Sequence, residues 1–186
     1  MSREHQQARS TATRNSLLNA AAELVRTHGA RELTLEAVAD AAGVSKGGLL
    51  YHYPSKAALL EAMVDAWCVG FDDSCLVAEP GRQPGAATTA FVDATFETGA
   101  DQSALGANLL AAALVDPALL DPWRDRMRQW QERLTDDGID PAVATVARLA
   151  ADGLWVADAL DFAPPRGAFR EQVRAALDRL VEEVRS

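Results

Sequence analysis

The chain has 186 residues, 48% of them hydrophobic, and a formal net charge of −9. This length supplies ample core for one large domain or for a small domain joined to a larger one. No uncharged apolar run is long enough to span a membrane, and residues 1–7 lack the apolar segment of a secretory signal, so we expect a cytoplasmic protein. The acidic balance argues at first against a nucleic-acid partner.

The charge is distributed unevenly along the chain. Residues 1–56 carry a net charge of +2, whereas residues 57–186 carry −11. Both lysines, Lys46 and Lys56, and all three histidines lie in the first part. Phosphate binding needs local positive charge rather than a basic protein. The pattern therefore predicts two domains of different purpose, one at residues 1–56 and a larger one at residues 57–186.

The first residues are polar, and we expect residues 1–10 to be mobile, with Arg3 and Arg9 able to touch a phosphate backbone. From residue 11 to residue 28 an apolar stripe at helical spacing predicts an amphipathic helix, which Gly29 ends. This helix should pack on the segment that follows it.

A helix-turn-helix pattern occupies residues 34–56. Thr34 is suited to cap a first helix, Gly43 to form a sharp turn, and Ser45 to cap a second helix that ends before Pro54. Two short helices joined in this way fit a DNA major groove, although a generic helical hairpin has the same pattern.

The second of these helices has inward and outward positions. Leu49 and Leu50 are expected to face the core, and Tyr53 to fill it. Gly48 has no side chain, which would allow close approach to a phosphate or a thymine methyl group. His52 can donate to phosphate oxygens, and we favour this contact over a switch by protonation.

The run at residues 44–59, Val-Ser-Lys-Gly-Gly-Leu-Leu-Tyr-His-Tyr-Pro-Ser-Lys-Ala-Ala-Leu, closely resembles the recognition-helix signature of the tetracycline-repressor (TetR) family of bacterial transcription regulators. Residues 18–24 and 34–39 are similar to two further motifs of that family, in the same order. The chain departs from the family pattern at Leu50, where many members carry an aromatic residue, and its tyrosine is displaced to Tyr51.

The resemblance, which covers about residues 11–62, implies an all-α fold of about nine helices. It implies an N-terminal three-helix DNA-binding unit and a C-terminal helical effector-binding and dimerisation domain. It also implies a ligand-responsive repressor that a small hydrophobic effector releases from a palindromic DNA operator. The candidate DNA contacts are Thr34, Ser45, Lys46, Gly47, Gly48, Tyr51, His52 and Lys56.

The rest of the chain also has helical patterns, and no strand pattern or repeat occurs. A helix over residues 55–76 precedes a loop at 79–85, and helices are predicted at 86–100 and 103–114, the latter largely buried. Three Asp-Pro pairs, beginning at Asp116, Asp121 and Asp140, each predict an N-cap followed by a helix start.

The last two helices are predicted at about residues 140–160 and 166–184, separated by two prolines. In the TetR family the last two helices form the homodimer interface, so the resemblance implies a homodimer through these segments. The alternative is that their apolar stripes only complete the core of one chain.

Several aromatic residues of the second domain are candidates for an apolar effector cavity, because aromatic side chains commonly line small-molecule sites. Asp152 and Asp158 flank Trp155 and could meet a cationic group; the alternative for each residue is a place in the core. The candidate effector contacts are Trp67, Phe71, Phe96, Trp123, Met127, Trp130, Trp155 and Asp158.

Cys68 and Cys75 lie two helical turns apart, about 10 Å along a helix, which exceeds disulfide reach. We favour core residues over a redox or metal sensor. No Gly-rich phosphate loop, His pair for a metal or nucleophile elbow occurs, so neither an enzyme nor a cofactor is expected. The alternatives are a helical small-molecule-binding or carrier protein without operator binding and, less favoured, a dimeric enzyme.

Overall fold

The computed structural model of the chain describes residues 3–75 and 83–185, except for the side chains of residues 3, 4 and 6. Within these ranges every regular element is a helix, which confirms the all-α prediction. None of these helices is long and apolar enough to cross a membrane. The elements are α1 (Arg3–His28), α2 (Leu35–Ala41), α3 (Lys46–His52), α4 (Lys56–Cys75), α5 (Ala86–Glu97), α6 (Ala100–Val115), a 3₁₀ helix η1 (Pro117–Leu120), α7 (Asp121–Thr135), α8 (Pro141–Leu160) and α9 (Ala168–Glu182).

The chain forms two compact units. Met1–Ala66 and Asn108–Pro122 make up the N-terminal unit, and Trp67–Ala107 and Trp123–Ser186 make up the C-terminal unit. The boundaries between the two units fall within α4, α6 and α7, whereas the charge pattern divides the chain after residue 56. The domain boundary at that residue stays a prediction.

The first helix begins earlier than predicted, at Arg3, so the expectation that residues 1–10 are mobile is wrong for the described residues 3–10. Arg, Glu, Gln and Ala are good helix formers, and the segment contains neither glycine nor proline. The side chain of Arg3 lies outside the described part, and Arg9 is exposed. Further along α1, Leu17, Ala21 and Val25 are fully buried and form the core of the N-terminal unit.

The C-terminal unit is built around an anchor at the start of α5. Asp137, in the loop between α7 and α8, is buried, and its carboxylate accepts hydrogen bonds from the backbone N–H groups of Ala87 (3.0 Å) and Thr88 (2.7 Å) and from the Thr88 hydroxyl (2.8 Å). The Gly85 N–H donates to the Asp137 carbonyl at 2.8 Å. One buried carboxylate therefore caps α5 from about fifty residues away in the sequence.

Two of the three predicted Asp-Pro caps are present. Asp116 caps η1 and Asp140 caps α8, each accepting a hydrogen bond from the N–H group two residues on, at 3.3 and 2.8 Å. Asp121 is not an N-cap, because η1 runs directly into α7 and gives Asp121 helical backbone angles. Burial at the end of α6 also differs from the prediction, since Leu114 is 72% exposed.

Candidate DNA-binding surface and effector site

Local hydrogen bonds define the helix-turn-helix. The Thr34 hydroxyl accepts from the Ala37 N–H at 3.2 Å, and the Ser45 hydroxyl accepts from the Gly48 N–H at 3.1 Å, so both predicted caps are present. Between the helices Gly43 has a φ of +67°, which a residue without a Cβ adopts without strain. These residues fix α2 and α3 by contacts within a short stretch of chain.

Two side chains hold α3 against the core of the N-terminal unit. Leu49 is fully buried, and Tyr53, just after the helix, is 2% exposed, as the sequence predicts. Arg14 on α1 donates from Nε to the Tyr53 hydroxyl at 3.2 Å, and its guanidinium lies 5.7 Å from the centre of the ring. The orientation of α3 is therefore fixed from α1.

The opposite side of α3 faces solvent. Tyr51 is 82% exposed, and its ring meets the edge of the His52 ring at 5.1 Å between centres. Ser45, Lys46 and Gly47 are exposed on the first turn. The expectation that Leu50 faces inward is wrong: it is 38% exposed, because a helix of two turns can direct only one side toward the core.

Both lysines of the surface have partners within the N-terminal unit. The Lys46 ammonium pairs with Glu36 on α2, and this hydrogen bond lowers the pKa of the Glu36 carboxyl. The Lys56 ammonium donates to the Arg31 carbonyl at 2.8 Å. The surface thus brings together Thr34, Ser45, Lys46, Gly47, Gly48, Tyr51 and His52 on α2, α3 and their caps, with Lys56 held at the start of α4.

Five of the predicted effector contacts form a packed aromatic cluster in the C-terminal unit, and Phe91 on α5 completes it. The Trp67 and Trp123 rings stack nearly parallel at 5.1 Å between centres. The sequence offered no signal for Phe91 beyond its helical spacing. The ring contacts join Trp67, Phe71, Phe91, Trp123, Trp130 and Trp155.

The four indole N–H groups of this aromatic cluster differ in their partners. Trp67 donates to the Gln102 carbonyl at 3.1 Å, and Trp130 donates to Asp72. The Nε1 atoms of Trp123 and Trp155 are buried and have no hydrogen-bond partner among the residues that the structure describes. A buried donor without an acceptor costs about 1–3 kcal/mol, so these two atoms mark the cluster as a place where an acceptor would be stabilising.

The aromatic side chains of the cluster pack against one another, with 5.0–6.2 Å between the centres of neighbouring rings. On α6, a Cβ atom at Gly106 would lie 2.7 Å from the Trp155 ring and 3.0 Å from the Trp67 ring, which shows how closely the helix approaches them. The Met127 sulfur lies 4.0 Å from the Arg148 guanidinium. The role of these residues in effector binding stays a prediction.

The remaining two candidates, Phe96 and Asp158, line a separate cavity of about 540 Å³. It lies where α5 and α8 end and where α6 and α9 begin. Its lining residues are Phe96, Thr98, Ala100, Ser103, Ala104, Asp158, Ala159, Pro165, Arg166, Gly167 and Arg170.

The two carboxylates that were expected to meet a cationic group each meet an arginine of the chain. Asp158 accepts from Arg170 at 2.8 Å, and Asp152 pairs with Arg148. Burial nevertheless raises the pKa of Asp152 to about 6, and the Arg148 charge offsets only part of that rise. A cationic effector is therefore not required to balance either carboxylate.

The two cysteines are buried in α4. Burial, and next the Asp72 carboxylate, raise the pKa of the Cys75 thiol to about 12, so it stays protonated near neutral pH. Over residues 3–75 and 83–185, no group of three or more His, Cys, Asp and Glu side chains is arranged to hold a metal ion.

An apolar face remains exposed on the last two helices and the loop between them. On α8 the small residues Ala144, Ala147 and Ala151 are fully buried, whereas other apolar residues of the same helix face solvent. The exposed apolar side chains of this region are Val146 (53%), Leu149 (55%), Leu160 (44%), Phe162 (68%) and Phe169 (62%).

Sequence profiles of two protein families match the chain. Residues 17–63 match the family described as "Bacterial regulatory proteins, tetR family". Residues 85–182, more than half of the chain, match the family described as "Tetracyclin repressor-like, C-terminal domain". A search of curated proteins found no match.

Solved structures with this fold cover nearly the whole chain. A candidate TetR-family transcriptional regulator from Rhodococcus sp. has a TM-score of 0.76 at 22% identity, over 94% of this chain and all of its own. A TetR-family member from Streptomyces coelicolor A3 has a TM-score of 0.71 at 24% identity, over 91% and 98%. The multidrug binding protein EbrR, complexed with ethidium, has a TM-score of 0.66 at 25% identity, over 91% and 98%.

Proposed function

Since the chain belongs to the TetR family of bacterial transcription regulators, we propose that it is a repressor that binds a palindromic operator as a homodimer and is released by a small hydrophobic effector. Such a regulator acts where the bacterial chromosome lies, so a cytoplasmic location is part of the proposal. The proposal starts from a DNA-binding transcription regulator. We infer in addition that it represses rather than activates, that it forms a dimer and that an effector releases it from DNA.

The exposed side of α3 carries this proposal. Burying a tyrosine ring is favourable, yet Tyr51 is 82% exposed on a helix whose next-but-one neighbour Leu49 is fully buried. An exposed aromatic side chain with a donor hydroxyl, on the same short helix as Lys46 and its cap Ser45, suits a surface that meets phosphates and base edges. The net charge of +2 over residues 1–56 supplies the local attraction for DNA.

The exposed apolar face of α8, α9 and their connecting loop is the proposed dimer interface. Contiguous apolar side chains on a protein surface commonly mark an interaction site, and a two-fold dimer buries the same patch on both copies. Two copies related in this way present two α3 helices to half-sites about 34–36 Å apart, one turn of B-DNA.

The aromatic cluster is the proposed effector site. Its stacked tryptophans can part to admit a flat apolar molecule, and the unpartnered N–H groups of Trp123 and Trp155 can donate to an acceptor on it. The ethidium complex of EbrR supports this class of ligand by analogy. Effector binding would shift α4, which contributes Trp67, and reduce the population in which both recognition helices fit the operator.

The DNA surface is tested by selecting bound fragments from genomic DNA and measuring their affinity in gel shifts at several salt concentrations. We expect the double variant Lys46→Ala, Tyr51→Ala to lose at least tenfold in affinity and to have a shallower salt dependence. Arg128→Ala, an exposed arginine on α7, is the matched control and should bind as the wild type does. Undiminished, salt-sensitive binding by the double variant would show that DNA binds another surface.

The dimer is tested by Leu149→Glu, which puts a charge in the proposed interface. The control is Leu114→Glu on α6, where the same residue type is exposed to 72% rather than 55%. We expect the first variant to sediment as a monomer and to lose cooperative operator binding, and the second to remain dimeric. A dimeric Leu149→Glu protein would place the interface elsewhere.

Effector binding is tested by tryptophan fluorescence with a panel of flat hydrophobic compounds, since all four tryptophans lie in the aromatic cluster. Compounds that change the fluorescence saturably should also release DNA. Binding of such compounds with no DNA affinity at any salt concentration would favour a carrier protein instead.

A further inference from the structure

The cavity at the junction of α5, α6, α8 and α9 has features of a second binding site, separate from the aromatic cluster. Its volume of about 540 Å³ is in the range of small-molecule sites. None of the four tryptophans lines it. Its wall combines one aromatic ring, several small apolar residues and three charged side chains, a combination that suits a ligand with one apolar and one charged part.

The side chains that line the cavity carry a net charge of +1, and Asp161, which pairs with Arg166, is not among them. Arg166 and Arg170 both line it, against a single carboxylate, that of Asp158. The first turns of α6 and α9 also face it, through Ala100 and Gly167 among others, and helix N-termini carry partial positive charge. The first-turn acids of those helices, Asp101 and Glu171, are exposed and are not among the lining residues.

Ser103 places a hydroxyl in the wall of the cavity. The residue lines the cavity and is only 8% exposed. A serine hydroxyl is both a donor and an acceptor and can rotate to suit its partner, so Ser103 can donate to an acceptor in the cavity.

The two arginines are held differently. Arg170 donates to both oxygens of Asp158, at 3.1 and 2.8 Å, and its guanidinium lies 5.0 Å from the centre of the Phe96 ring. Arg166 pairs with Asp161 in a bridge whose side chains are 74% and 80% exposed. An exposed ion pair contributes little, so Arg166 can exchange Asp161 for a ligand, whereas Arg170 is positioned in advance.

From this arrangement we propose that the cavity binds a small amphipathic carboxylate. The carboxylate would accept hydrogen bonds from Arg166, Arg170 and the Ser103 hydroxyl, and an aromatic or aliphatic body would lie against Phe96 and Pro165. Bidentate pairing with a guanidinium is the strongest interaction available to a carboxylate in such a site. Binding itself does not depend on the proposed repressor function; only an effect of the ligand on DNA affinity would.

The test compares three probes of nearly equal shape by titration calorimetry on the full chain: 1-naphthylacetate, its neutral amide and the cationic 1-naphthylmethylamine. We expect the carboxylate to bind at least tenfold more tightly than either of the others. The affinity for it should fall at least tenfold in Arg166→Gln and in Arg170→Lys, and about tenfold in Ser103→Ala. Arg128→Gln, which removes a distant exposed arginine, should not change it.

Equal affinity for the three probes, tighter binding of the amine, or no binding of 1-naphthylacetate at millimolar concentration would overturn the proposal. Unchanged affinity for 1-naphthylacetate in Arg166→Gln and Ser103→Ala would also overturn the proposal. Both variants should fold, because neither substitution removes a partner of a buried charge. Gel shifts on the same variants distinguish the two proposals: operator binding without carboxylate binding rejects only the cavity, and the reverse rejects only the repressor.

Discussion

The two units of this protein are stabilised in different ways. In the N-terminal unit the helix-turn-helix is fixed by caps from side chains three residues away, and its Lys46–Glu36 ion pair is exposed. In the C-terminal unit the cap of α5 comes from Asp137, about fifty residues away, and three of its ion pairs, Arg126–Asp72, Arg148–Asp152 and Arg170–Asp158, are part-buried. The DNA-binding surface is thus specified locally, whereas the regulatory unit depends on partners that only the fold brings together.

This difference is measurable because the two units carry different intrinsic probes. All four tryptophans lie in the C-terminal unit and both tyrosines in the N-terminal unit. Tryptophan fluorescence therefore reports unfolding of the C-terminal unit, and circular dichroism reports the helices of both.

The largest effect is expected from removing the distant cap. Asp137→Ala leaves two buried N–H groups and a buried hydroxyl without their acceptor, and should lower the free energy of unfolding by about 3–4 kcal/mol in urea denaturation. Ser45→Ala removes the exposed local cap of α3 and should cost about 1 kcal/mol by circular dichroism. Equal losses would remove the distinction between the two units.

A part-buried ion pair should make the stability of the C-terminal unit depend on pH. The pKa of Asp152 in the folded state is raised to about 6, so between pH 4 and pH 6 the folded chain keeps a proton that the unfolded chain has lost. Stability must then fall as the pH rises through this window. Relative to Asp152→Asn, the free energy of unfolding of the wild type should fall by about 2–3 kcal/mol between pH 4 and pH 7.

Urea denaturation at several pH values, followed by tryptophan fluorescence, measures that difference. A constant difference between wild type and Asp152→Asn over the whole range would contradict the raised pKa. Asp125→Asn, which removes an exposed carboxylate of α7, is the control.

Two glycines test packing in the two units. A Cβ atom at Gly106 would clash with the Trp155 ring, so Gly106→Ala should lower the free energy of unfolding by about 1–3 kcal/mol. A Cβ atom at Gly47 on α3 would meet nothing within 4 Å, so Gly47→Ala should stabilise the N-terminal unit by up to about 1 kcal/mol. Thermal melts of both variants provide the measurement, and a stabilised Gly106→Ala protein would show that the aromatic cluster is loosely packed.

The smallest effect concerns the exposed ion pair of the DNA-binding surface. Glu36→Gln frees Lys46 from its partner and removes a negative charge beside the proposed DNA contact. We expect a few-fold higher operator affinity, with a steeper salt dependence, in gel shifts. Glu32→Gln removes another exposed acid outside the helices and should have less effect; lower affinity in Glu36→Gln would mean that the carboxylate orients Lys46 for DNA.

The helix-turn-helix could be predicted from the sequence, because short-range signals form it. Thr34 and Ser45 cap the helices as predicted, and the turn at Gly43 and the burial of Leu49 and Tyr53 also follow the predictions. Within residues 3–66 the wrong predictions concern Leu50 and the start of α1, where helix length rather than residue type decided.

The arrangement of the candidate effector residues, in contrast, depends on contacts between helices that are distant in the sequence. Their aromatic character was visible in the sequence, yet the pattern could not show that five of them pack on each other while Phe96 and Asp158 line a separate cavity. Nor could it pair Asp158 with Arg170, or bring Ser103 to the same cavity. Helical spacing indicates which side chains face inward, but contacts between distant helices depend on the packing of the whole unit.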